Sequence, residues 1–113
     1  MARPVVGIHA TVAPVSWGPW RDRPSAVVPA ALAAAVQKAG GVVVLLAPDP
    51  ELGWRELLGT LDALIVFDDA DGLDALRAAG RETGLPLLEL DAARITPASP
   101  VEDYAREIRG LLD

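Results

Sequence analysis

The chain contains no cysteine and only one histidine, one lysine and one methionine. Without a thiol there is no disulfide, no thiolate metal centre and no sulfur nucleophile. Aromatic residues are also scarce, so Trp17 and Trp20, two of only three tryptophans, stand out by falling so close together. No apolar run approaches the roughly 20 residues that cross a bilayer, and no charged-then-apolar leader precedes Val5, so a cytoplasmic location and no membrane partner are expected. A formal charge of −6 leaves no broad basic face to replace phosphate counterions, which argues against a nucleic-acid partner. What is present is enough for a core: 51% of the residues are hydrophobic and 23% charged. A chain of 113 residues is then one globular domain, spanning 1–113, with no room for a separate substrate domain.

The most informative stretch is Leu61 to Asp71. Its apolar run, Ala63 to Phe67, is short, continuous and followed at once by acids, the pattern of a strand buried on both faces of a parallel sheet. Ligands bind at the carboxyl ends of strands in open α/β sheets, which puts Asp68, Asp69 and Asp71 at the first place to look for a site. Three similar runs surround it. Val5 to Ile8 leads into His9, which is placed to act as a general base or, more simply, is a partly buried histidine bonded to nearby backbone. Val42 to Leu46 ends before Pro48 and Pro50, and Leu85 to Leu90 ends in Asp91.

Helical spacing fills the gaps. Ser25 reads as a cap for a helix carrying Val28, Leu32, Ala35, Val36 and Ala39, stopped by Gly40 and Gly41. A short helix is expected from about Glu51 to Gly59 with Trp54 on it, another from Gly72 to Glu82, and a last one opening at Glu102. Four strands each followed by a helix make a flavodoxin-like three-layer α/β sandwich: a four-stranded parallel sheet of order 2-1-3-4 with helices on both faces. Ala10 to Ser25 shows no period but holds Pro14, Trp17, Gly18, Pro19, Trp20 and Pro24. A segment this long between strand and helix reads as a binding loop, or as a cover folded back over the sheet edge.

Arg3 to Ile8, the Trp-Gly-x-Trp-x-x-x-Pro segment at Trp17 to Pro24, Ala39-Gly40-Gly41, Val44-Leu45-Leu46 and Leu61-Asp62-Ala63-Leu64 together resemble the amino-terminal half of class I glutamine amidotransferase-like hydrolases, nearest to the gamma-glutamyl-gamma-aminobutyrate hydrolase branch, peptidase family C26. The resemblance runs over residues 3 to 91 and is carried mostly by the first 67. It implies a glycine pair after the third strand, whose amides help form an oxyanion hole, and a nucleophilic cysteine in a glycine-flanked elbow after the fourth. Here Asp68 and Asp69 stand on the glycines, Asp91 on the cysteine and Ala93 on the elbow's second glycine. The resemblance places the family's His and Glu in a carboxyl-terminal half that these 113 residues do not include. It therefore implies the fold and argues against the activity.

A response-regulator receiver is a weaker match, since no acidic pair follows the first strand and Lys38 lies on the wrong helix. The acids Asp68, Asp69, Asp71 and Asp91 could hold a hard cation, but capping of free amides accounts for them without a metal. The expectation is a degenerate amidotransferase-like chain with no catalytic residue, cofactor or metal, acting as a binding, regulatory or accessory subunit. His9, Thr11, Asp68, Asp69 and Asp91 would line a cleft for a small amino-acid-like ligand. Trp17 and Trp20 would serve an interface with a protein, most simply a homodimer whose contact includes the fourth strand, the last helix or the tryptophan segment. The alternative is a hydrolase of gamma-glutamyl amides completed by another chain.

Overall fold

The computed structural model describes residues 3–47, 54–69, 73–96 and 98–112. The four apolar runs form one parallel sheet from β1 (Val5–His9), β4 (Val42–Leu46), β5 (Ala63–Phe67) and β6 (Leu87–Leu90), in the order β4-β1-β5-β6. Counting only these parallel strands, that is the expected 2-1-3-4 order. Alternation along the strands then feeds two cores. Ala63, Ile65 and Phe67 join Val6 and Ile8 beneath α1 (Ala30–Lys38) and α4 (Val101–Ile108), which contribute Leu32, Val36, Tyr104 and Ile108. Leu64 and Val66 face the other way, beneath α2 (Trp54–Leu58) and α3 (Leu73–Thr83), against Leu58, Leu73 and Leu76. All five β5 residues are buried, so this strand is the middle layer of the molecule. Truncating one of its large side chains, as in Ile65→Ala, should cost about 2–5 kcal/mol.

Gly7 is required by packing rather than by a turn. A Cβ on it would lie 2.6 Å from Leu61 Cδ1 and 3.1 Å from Leu46 Cδ1, so its missing side chain lets two leucines close over β1. Gly40, at φ +95°, ends α1, and Gly84, at φ +69°, follows α3. In both cases the left-handed backbone suits glycine.

Two expectations are corrected. The segment after His9 is not a loop but a hairpin, β2 (Thr11–Trp17) and β3 (Trp20–Val27), forming its own two-stranded antiparallel sheet. Gly18 turns it at φ +58°, and Trp17 pairs with Trp20 across the tip. Ser25 is accordingly a β3 residue whose hydroxyl donates to the Arg23 carbonyl, not a helix cap. The helix starts later, after Val28 and Pro29, where the Pro29 carbonyl accepts from the Leu32 and Ala33 amides and no side chain caps the end. Proline fits there because its fixed φ and absent N–H cost nothing at a helix start.

The short helix is seen from Trp54, while Leu52 and Asp71 lie outside the described residues. The last helix begins one residue early, at Val101. It ends at Ile108, leaving Leu111 and Leu112 half-buried beyond it. No helix among the described residues is long and apolar enough to cross a membrane.

Candidate functional site

The carboxyl ends of β1, β5 and β6 bring His9, Asp68 and Asp91 to one edge of the sheet. Thr11 leaves that edge as the first, exposed residue of the hairpin. His9 is 4% exposed and pairs in register with Leu46. Burial lowers its pKa below the usual 6.5, so the imidazole is neutral at physiological pH. A ring set this deep serves packing more readily than proton transfer to a ligand.

Asp68 and Asp91 act on backbone. The Asp68 amide donates to the Leu90 carbonyl at 3.0 Å, continuing the β5–β6 ladder by one residue. Its carboxylate Oδ1 accepts from the Ala92 amide at 3.0 Å. Asp91 Oδ1 accepts from the Ala93 amide at 2.9 Å, and the Asp91 carbonyl accepts from the Arg94 and Ile95 amides at 2.9 and 2.7 Å. Every amide from Ala92 to Ile95 is therefore spoken for by one of these two aspartates. The turn then runs to Thr96, whose carbonyl accepts from the buried Tyr104 hydroxyl and fixes the segment against α4. Burial raises the pKa of that phenol, with the neighbouring Asp103 charge adding to it, so the hydroxyl stays protonated and able to donate.

Asp69 is exposed and makes no side-chain hydrogen bond among the described residues. Among the described residues the only non-glycine at positive φ is Asp22 on the hairpin, so Asp68 and Asp69 do not hold the left-handed geometry for which glycine is selected. No group of three His, Cys, Asp or Glu side chains among the described residues is placed to hold a metal ion.

Residues 4–71 match the family model for Peptidase C26. The chain belongs to the Peptidase C26 family. The matched span takes in β1, the hairpin, α1, β4 and β5 together with Asp68 and Asp69. Asp91, and the turn it organises, lies beyond the span. No curated protein and no solved structure matches the chain.

Within this Peptidase C26 chain, Trp17 and Trp20 lie on the separate two-stranded sheet and not at the strand ends that carry the acids. Trp17 is 74% and Trp20 48% exposed at the hairpin tip, where Arg23 stacks its guanidinium over the Trp20 ring, 5.2 Å from the centroid. Sequence reasoning named the aspartates but missed what they bond. The signal was present in Asp91-Ala92-Ala93, since an Asp followed by small residues readily turns back on the amide two residues ahead.

Proposed function

We propose that this chain is a pseudoenzyme of the amidotransferase-like class, a binding or accessory subunit rather than a hydrolase. The observation that carries this reading is the occupation of the Asp68 and Ala92 amides. An oxyanion hole needs amides that are free and aimed at developing negative charge. Here the Asp68 amide is held by Leu90 and the Ala92 amide by a carboxylate. A substrate oxygen arriving there would have to displace an anion from the donor meant to stabilise it. Asp91 in the nucleophile's position adds a second obstacle, because a carboxylate is a poor substitute for a thiolate in amide cleavage. The partner of such a subunit is a protein, or a small amino-acid-like molecule at the carboxyl ends of the strands.

The test is ammonia or amine release from glutamine and from gamma-glutamyl amides by the purified chain. No turnover above buffer is expected, and Asp91→Cys alone should not create any, since the amides stay occupied. Turnover that Asp91→Ala abolishes would instead support a gamma-glutamyl amide hydrolase, completed by another chain where the wild type needs one.

A further inference from the structure

The parallel sheet has two edges, and β4 forms one of them. Its five residues, Val42-Val43-Val44-Leu45-Leu46, are all apolar, yet Val42 is 43% and Leu45 54% exposed. Among the described residues no strand lies on its outer side. Edges in soluble proteins are normally blunted by a charge, a proline or a bulge, and β4 has none of these.

The hydrogen-bond parity of β4 is fixed by β1. The Val42 amide donates to the Pro4 carbonyl, and the Leu46 carbonyl accepts from the Ala10 amide. Peptide groups of Val42, Val44 and Leu46 therefore point inward, and those of Val43 and Leu45 point outward. An antiparallel copy of β4 related by a two-fold axis through Val44 meets this pattern without adjustment. Val43 would exchange both backbone hydrogen bonds with Leu45 of the second copy, and Leu45 with its Val43. Val44 would face its own mate in a non-hydrogen-bonded pair. Side chains then match face to face, apolar on apolar, on both sides of the sheet.

Charge favours a second copy over an acidic or basic partner at this seam. Asp22 is the only one of the chain's 16 acids before Asp49, and from Pro24 to Pro48 the only charged residue is Lys38. Two copies with a net charge of −6 each can thus approach through β4, and through the adjoining α1 with its run of alanines, with no acid on either element. The exposed hairpin rises from Ala10, whose amide donates to the Leu46 carbonyl at the end of β4.

We propose that two copies of this chain pair through β4, antiparallel about Val44, to join their sheets into one eight-stranded sheet. An isologous two-fold contact of this kind is the commonest route to a homodimer. It stands apart from the reading of the acid end, since a hydrolytic chain could pair in the same way.

The absence of cysteine makes a position-specific test available in the whole chain. In the proposed seam, the two Val44 Cα atoms lie about 4.5 Å apart, within disulfide reach, whereas the two Val42 Cα atoms lie about 14 Å apart along the strands. Val44→Cys should therefore oxidise to a covalent dimer about tenfold or more faster than Val42→Cys, although Val42 is the more exposed. Leu45→Pro removes only an outward amide and should give a folded monomer by light scattering and circular dichroism, as should Leu45→Lys. Wild-type protein that is monomeric at tens of micromolar would overturn the proposal. So would Val42→Cys cross-linking as fast as Val44→Cys, or a folded Leu45→Lys protein that remains dimeric.

Discussion

The two edges of the sheet are built on opposite rules. At β6, Pro86 precedes the strand, and Glu89 stands on it as a charge ion-paired to Arg77 of α3. The end of α4 also approaches, so that Leu87 and Leu88 line a groove of about 360 Å³ with Glu107, Gly110 and Leu111 rather than a flat face. At β4 there is no proline, no charge and no covering element among the described residues. The fourth parallel strand, expected among the contacts of a homodimer, is an edge as its sequence suggests, but one that carries an ion-paired charge. Of the features that blunt a sheet edge, β6 carries a charge and a flanking proline and β4 carries none.

The largest effect should come from removing the guard. Replacing both members of the ion pair, Arg77→Leu with Glu89→Leu, would turn β6 into a second apolar edge. Light scattering should then show species larger than a dimer, and an unchanged size would mean that the charges are not what separates the two edges. A smaller loss is expected at the far end of β6, where Asp68 ties Ala92 to β5. Asp68→Asn weakens a charge-assisted hydrogen bond and should cost about 1 kcal/mol in denaturant unfolding. Asp69→Asn, which breaks no such bond among the described residues, should stay within about 0.5 kcal/mol.

The smallest effect belongs to the β4 side and is set by His9, in register with Leu46. Its folded-state pKa lies below 6.5, so the unfolded chain takes up the proton first. This contribution to stability is complete above pH 6.5 and declines as pH falls below it, until the folded-state value is passed. His9→Gln should flatten the unfolding free energy across that window, and an unchanged slope would assign it to carboxylates instead.

The sheet was legible because burial on both faces removes polar residues from a strand, and β5 is the limiting case. Gly40 marked the end of a helix for an equally direct reason. The hairpin was hidden by its prolines, which ordinarily count against strands. Yet Pro14 and Pro24 lie directly opposite each other. In an isolated two-stranded ribbon, such a non-hydrogen-bonded pair points both nitrogens outward, so neither proline removes a ladder bond. Trp17-Gly18-Pro19-Trp20, with prolines spaced almost evenly on either side, was the signal to read. At the candidate site the aspartates could be found from their place after the strands. Their partners could not, because the Asp68 to Ala92 bond spans 24 residues and depends on how β5 and β6 align.

The placement of the tryptophans also decides what can be learned by fluorescence. Two of the three indoles sit at the tip of a ribbon that forms its own sheet, and both are already exposed, Trp17 more than Trp20. Their emission will change little when the sheet melts and strongly when something settles on the hairpin. For Trp17 and Trp20 fluorescence is a docking signal, and unfolding is better followed by backbone dichroism.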